Sequence, residues 1–537
     1  MSASLAGERQ EKEGSKLLPY MPDVGDFLFV FTLQLLLFLR PDLLFTDGST
    51  GWHLVAGNYI LKTGQIPHTD LFSFTFPDKE WVAYEWLFDV FIAGLVKLGG
   101  FNLLAVAVSI VISAIFLMVY DRCRREGCHF GFAAFITIVG ILTAAVHFLA
   151  RPHIITMLGV FLFVAHLEDF YRGTISGIKL VATLALFMVL WVNCHPAYLI
   201  GILLCGLYLG VSLIIWLVRR GGESAINYRQ RSKYFAFALL AVTGATLVNP
   251  YGIKLYEYIF HYLKGSSLLA ATNEFMSPVF HGGLHPLCLE ILFFFLAAGL
   301  YVSKVRLSTP LFLTLMVFAH GSLSAIRNLP LFAVVSVPAI GRLFSSTKLA
   351  DLRSHHSVPQ WLGRIQKGFD KFDVNERQCK KHLLSVGFSL FLIAVALNNG
   401  KLFGEQYLTS GFGASNKPVE NLEFIRQHDL MSLTGFNYDN WGGYLRYMLD
   451  KRVFIDDRAD FYGERFYTEY SLVAQMAPGW RDILNGKNMK GLKIDWLLVP
   501  KESRTSATLR DDAQWQRVES KDKASDLFLR KGISLPR

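Results

Sequence analysis

The stretch VGDFLFVFTLQLLLFLRPDLLFTDGSTGWH (residues 24–53) sets the reading of the whole chain. Its first part is an almost unbroken apolar run, of the roughly 20 residues a helix needs to cross a bilayer. Its second part changes abruptly to Asp47, Gly48, Ser49, Trp52 and His53. Similar runs recur near 101–120, 130–149, 154–170, 179–194, 197–218, 234–248, 286–303, 309–325, 330–344 and 382–398. The expectation is a polytopic α-helical membrane protein with about eleven transmembrane helices. Composition agrees: 52% of the 537 residues are hydrophobic, 18% are charged, and the mean hydropathy is +0.34, too apolar for an ordinary soluble protein of this size.

The formal charge of +10 does not point to nucleic acid, because the basic residues fall in short clusters between apolar runs. Alternate connections hold Arg9, Lys12 and Lys16; Arg122, Arg124 and Arg125; Arg172; Arg219 to Lys233; Lys304 and Arg306; and the basic stretch Lys348 to Lys381. The positive-inside rule places these turns in the cytoplasm. An odd number of spans then exports the tail. The expected division is a cytoplasmic N-terminus (1–23), a membrane core (24–399) that includes a first external loop (46–87) and a cytoplasmic linker (345–381), and an extracytoplasmic α/β domain (400–537). No cleavable signal peptide is expected before the first span, and the location is the cytoplasmic (inner) membrane. The tail's strand-like runs are RVFIDD (452–457), IDWLLVP (494–500) and DLFLRK (526–531). Six cysteines show no disulfide or zinc spacing.

Ionisable groups near membrane depth need a cavity or a partner. In this chain they gather in turns assigned to the outer side: Asp47, Arg151 and His153 in ARPHIIT, Asn193 and His195 in WVNCHPAY, Asn249 and Tyr251 in LVNPYGIKLY, Glu274, and Arg327 and Asn328 in AIRNLPLF. His53 and Glu85 lie in the first loop, which is expected to rest flat on the membrane surface with Asp47 at the rim of an outward cavity. Arginine offers paired donors to phosphate oxygens, and an aspartate can take a proton from an attacking hydroxyl.

Plainer roles exist for each. Asp47 can cap a helix beginning near Ser49, Arg151 and Arg327 can anchor span ends, and Asn193 and His195 can satisfy backbone groups freed at Pro196. In the tail, Asp456, Asp457, Arg458 and Asp460 read as a surface salt-bridge network in preference to a calcium site, and DNWGGYL as a glycine turn entering a helix.

The ordered set TDGSTGWHL, IPHTDLFSFT, WVAYEWL, RPH, WVNCHP, LVNPYG, RNLPLF and YDNWGGYL with RVFIDDRADFYG resembles a bacterial group of type-C membrane glycosyltransferases, related to polyprenyl-phosphate-sugar-dependent mannosyl- and arabinosyltransferase-like proteins. The resemblance spans nearly the whole chain. It implies transfer of a sugar from a polyprenyl-phosphate donor in the membrane lipid to a glycan, lipid or protein acceptor outside the cytoplasmic membrane. It also implies Asp47 as catalytic base, with Arg151, His153, His195 and Arg327 around the donor phosphate. Relatives usually carry a second acid two residues after the first, where this chain has Ser49. No metal-ligand set is assigned, and a divalent cation stays open as cofactor. The alternative is a non-catalytic membrane scaffold, a subunit with a partner in a larger complex. A transporter is disfavoured because the polar groups cluster at one face and no duplicated half is evident.

Overall fold

A computed structural model describes residues 18–219, 223–264, 273–346 and 360–535. The basic residues expected in the N-terminal tail, together with Arg220 and the start of the linker, lie outside the described residues. Helices follow the apolar runs in order: α1 (Val24–Gln34), α2 (Ser49–Thr63), α3 (Trp86–Arg125), α4 (Phe130–Ala144), α5 (His153–Tyr171), α6 (Gly177–Val192), α7 (Leu199–Val218), α8 (Glu223–Ala245), α9 (Lys254–Lys264), α10 (Leu284–Val302), α11 (Thr309–Ser324), α12 (Leu329–Leu343), α13 (Gln360–Glu376) and α14 (Leu383–Leu397). Each of the eleven apolar runs coincides with a helix. Among the described residues, seven helical stretches are long and apolar enough to cross a membrane; α6, α11 and α14 are apolar but shorter. The protein is a multi-pass membrane protein, and eleven remains the expected number of spans.

The second span is longer than the apolar run alone implies. α3 starts at Trp86 and breaks at Gly99–Gly100, where Gly100 takes φ +65°, a conformation that costs glycine little. The two parts turn the chain from the first loop into the bundle. The basic turns collect at one end of that bundle. Arg172 pairs with Glu126, and Arg124, at the end of α3, pairs with Asp373 at 2.7 Å and with Glu376 on α13. The turns assigned to the outer side collect at the other end.

The tail contains α15 (Val419–Gln427), α16 (Asp439–Leu449), α17 (Ala459–Tyr462), α18 (Glu464–Ala474), α19 (Trp480–Leu484) and α20 (Arg504–Arg510). After a small hairpin of β1 (Lys401–Leu402) and β2 (Glu405–Gln406), β3 (Gly435–Asn437), β4 (Trp496–Pro500), β5 (Trp515–Arg517) and β6 (Ser525–Arg530) form a four-stranded sheet in the order β3-β4-β6-β5. β3 runs parallel to β4, and the other pairs are antiparallel. Two of the three expected strands are therefore in the sheet. The third, RVFIDD, is not, because its backbone pairs with the first loop instead: Phe74 N–H donates to Val453 O at 2.9 Å and Val453 N–H to Phe72 O at 2.9 Å.

That pairing corrects the picture of a loop lying flat on the membrane. Trp52, Phe72 and Trp81 are buried in one core with Phe454, Phe461 and Phe466 of the tail, so the loop's aromatic faces meet protein. α2 crosses α16 at glycines. A Cβ on Gly51 would lie 2.2 Å from Gly443 O, and one on Gly443 would lie 2.5 Å from Gly48 O. The glycines of DNWGGYL thus serve close helix approach inside α16, not a turn.

Candidate functional site

Asp47 sits just before α2, where its Oδ1 accepts the Ser49 N–H at 2.8 Å and the Ser49 hydroxyl. The N-cap is Gly48, and Asp47, one residue before it, holds the first N–H of the helix with one oxygen only. The other, Oδ2, faces Arg151 Nη1 at 3.1 Å, and the same nitrogen lies 2.6 Å from Glu274 Oε1. Three turns far apart in sequence, all assigned by charge to the outer side, meet in this contact. Burial alone raises a carboxyl pKa, but Arg151, the two Ser49 donors and Lys417 outweigh it and hold Asp47 below its ordinary value. Glu274 is likewise lowered against burial, by Arg151.

The tail closes this cluster. Lys417 Nζ donates to the Asp47 carbonyl at 3.0 Å, and Trp52 Nε1 to Asp457 Oδ1 at 2.9 Å. Burial brings the Lys417 amine down to about 8; burial and the neighbouring Asp47 charge push the Asp457 carboxyl well up. Sequence reasoning missed Lys417, which no motif marks. It placed Asp457 in a surface network, and that is corrected here. Asp456 is fully buried and Arg458 is 7% exposed, because the Arg458 guanidinium bridges Asp456 to Asp70 of the first loop at 2.7 Å from each and stacks on Phe72 and Phe461.

A second group adjoins the first. His53 Nδ1 lies 2.6 Å from Asp89 Oδ1, while Glu85 lies 3.9 Å from both His53 Nε2 and His195 Nε2. The Ala197 N–H donates to His195 Nδ1 at 3.3 Å, and the Thr156 hydroxyl, which accepts from Trp191 Nε1 at 2.9 Å, lies 2.8 Å from the same nitrogen. His195 Nδ1 is then an acceptor, so its proton sits on Nε2, facing Glu85. Burial holds both imidazoles well below their ordinary values, with the Arg151 and Arg327 charges adding to the effect at His195. Burial raises the Glu85 carboxyl to about 8, so at neutral pH it is a proton-bearing donor. Glu85, Asp89, Arg458 and Asp460 line a narrow cleft with Trp52, Trp81, Tyr84, Tyr258 and Phe461, between the first loop and the tail.

Arg327 stacks over Phe275 at 4.4 Å and makes no ion pair among the described residues; its charge adds to that of Arg151 in holding Glu274 down. His153 turns to the His147 carbonyl and not to Asp47. Asn193 accepts from Trp86 Nε1 and donates to Val189 O and Val248 O, Asn249 caps its own turn, and Asn328 donates to Gly321 O. Tyr251 accepts the Ala83 N–H at 2.9 Å. Asn193 and Tyr251 fasten one turn to another, Asn249 and Asn328 close their own helix ends, and none of the four contacts Asp47.

The donor set does not fit a divalent cation between the acids of the first loop. Ser49 removes one carboxylate, and the guanidinium of Arg151 occupies the place between Asp47 and Glu274 where an ion would sit. Among the described residues, Asp23, Asp26 and His382 meet metal-ligand spacing, at the opposite end of the bundle.

No family model matches this chain, and no curated protein matches it in sequence. Among solved structures it is similar to the oligosaccharyltransferase of Archaeoglobus fulgidus in the apo form, at 12% identity and a TM-score of 0.49, over 89% of this chain and 69% of that one. The same figures hold for that protein tethered to an acceptor peptide containing the NVT sequon. A mutant of the arabinofuranosyltransferase AftD from Mycobacteria is similar at 12% identity and a TM-score of 0.42, over 94% of this chain and 41% of that one.

Proposed function

We propose that this protein is an inverting glycosyltransferase that moves a sugar from a polyprenyl-phosphate donor to an acceptor hydroxyl on the outer side of the cytoplasmic membrane. The observation that carries this reading is the meeting of Asp47, Arg151 and Glu274 beside the Glu85 cleft, with Arg327 left unpaired nearby. Asp47, ionised at neutral pH, takes the proton of the acceptor hydroxyl. The hydroxyl oxygen forms a bond to the sugar C1, and the bond from C1 to the phosphate oxygen breaks with its electron pair on the lipid phosphate. Arg327 and Arg151 bind that phosphate as charge develops on it. Arg151 can turn from Asp47 to the phosphate while Glu274 still holds it. This frees Asp47 Oδ2 and raises its basicity at the step that needs a base. Neutral Glu85, at the cleft beside these groups, can donate to a sugar hydroxyl.

One observation favours the second reading, a scaffold within a larger membrane complex: both Asp47 oxygens already have partners. Incubating the purified full-length protein with a panel of polyprenyl-phosphate sugars and alcohol acceptors separates the two. Transfer predicts protein-dependent release of free polyprenyl phosphate. Absence of release across the panel, with the protein folded, supports the scaffold.

A further inference from the structure

At the basic end of the bundle lies a groove that the reaction does not use. It is a shallow groove, about 400 Å³ counted with the solvent it opens to, between the face of α5 carrying Phe161, Val164 and Ala165 and the face of α12 carrying Val334, Pro338 and Ala339. Glu168 and Arg342 close its polar end. They lie fifteen residues along their helices from His153 and Arg327, which at 1.5 Å per residue is about 22 Å from the Asp47 end. The groove is thus at the other side of the membrane core.

Its polar end is unevenly neutralised. Arg122 pairs with Asp169 at 2.7 Å, and Arg172 pairs with Glu126. Arg342, only partly exposed, has its nearest carboxylate oxygen, Glu168 Oε2, at 3.9 Å, too far for a hydrogen bond, and its Nη2 reaches Arg306 O only at 3.5 Å. Glu168 is 3% exposed. Its Oε1 accepts from Tyr208 and Ser308, whereas its Oε2 is buried without a hydrogen-bond partner. Pro338, which has no N–H, also leaves the Val334 carbonyl without its usual helical donor. The site therefore offers guanidinium donors for an anion, an acceptor beside them, and an apolar trough leading away. A buried acceptor without a partner is costly, and a ligand donor would satisfy it.

We propose that this groove binds one phospholipid of the cytoplasmic leaflet, with its phosphate on Arg342, a headgroup hydroxyl or ammonium on Glu168 Oε2, and an acyl chain along the α5–α12 wall. Charge complementarity selects this occupant: the positive-inside rule turns this end toward the leaflet that carries anionic lipid. Phosphatidylglycerol supplies both the phosphate and the hydroxyl donors, whereas phosphatidylcholine has the phosphate but no donor.

The test is native mass spectrometry of the full chain released from nanodiscs of phosphatidylcholine with and without phosphatidylglycerol. The wild type is expected to retain one phosphatidylglycerol in preference to phosphatidylcholine. Arg342→Gln should weaken retention about tenfold, the worth of one charge-assisted hydrogen bond. Ala165→Phe, which fills the trough without touching a charge, should abolish it, and Arg342→Lys should restore part of it. Thermal unfolding of each variant checks that it is folded. Equal retention of phosphatidylcholine, retention unchanged in both Arg342→Gln and Ala165→Phe, or full displacement by inorganic phosphate would each overturn the proposal.

Discussion

The crossing of α2 and α16 holds Asp47 against the tail, and a single methyl group tests it. In Gly51→Ala the added Cβ falls 2.2 Å from Gly443 O, 2.3 Å from its carbonyl carbon and 2.6 Å from Tyr444 N. All three are backbone atoms, so no side-chain rotation relieves the overlap. Ordinary contact begins at 3.4 Å, and the helices must separate by roughly 1 Å. Overpacking of this kind costs about 1–3 kcal/mol. The displacement also acts on the bonds from Lys417 to Asp47 and from Trp52 to Asp457, at 3.0 and 2.9 Å. A misplacement of about 1 Å at a catalytic group can cost on the order of 100-fold in rate. The assay is thermal unfolding of the detergent-purified protein, with release of free polyprenyl phosphate measured in parallel. Gly206→Ala is the control, since nothing lies within 4 Å of its Cβ in the interior of α7, and there alanine should be neutral or stabilising. If Gly51→Ala melts and turns over like Gly206→Ala, the account of how the tail positions Asp47 is wrong.

Arg458→Met should destabilise by about 3–5 kcal/mol, because it leaves Asp70 and Asp456 buried without their cation; denaturant unfolding measures this. Glu85 keeps its proton in the fold up to about 8, against an ordinary 4.5, so its contribution to stability is complete below 4.5 and is lost as pH rises through about 8. Glu85→Gln should flatten the decline in melting temperature across that window; an unchanged slope would place the titration elsewhere. Ser49→Ala removes one donor from Asp47 and should raise its pKa, shifting the acid limb of the pH–rate profile to higher pH with the protein still folded.

Much of this architecture was legible in the sequence, because bilayer crossing demands long apolar helices and the basic turns alternate with those assigned to the outer side. The meeting of Asp47 with Arg151 and Glu274 followed from the same alternation, which puts their turns at one end. What escaped was contact between distant segments that have no periodic signature. RVFIDD reads as a strand, but its partner is the first loop, and pairing registers between unlike segments are not written in either one alone. The charged run Asp456–Asp460 reads as a solvated cluster because its buried counterpart, Asp70, lies nearly four hundred residues earlier. Lys417 is one lysine among many. Asn193, Asn249 and Asn328 carried a polar signal of the expected kind, yet backbone carbonyls freed at helix ends satisfy them first.

The central claim is that Asp47 is the base of a sugar transfer. Its most direct measurement is single-turnover release of polyprenyl phosphate by Asp47→Asn. The asparagine oxygen can still accept from Ser49, and Glu274 still holds Arg151 at 2.6 Å, so the fold and donor binding should survive. The account predicts a loss of about 100- to 10,000-fold in the chemical step with donor affinity nearly unchanged. A rate equal to that of the wild type would contradict it.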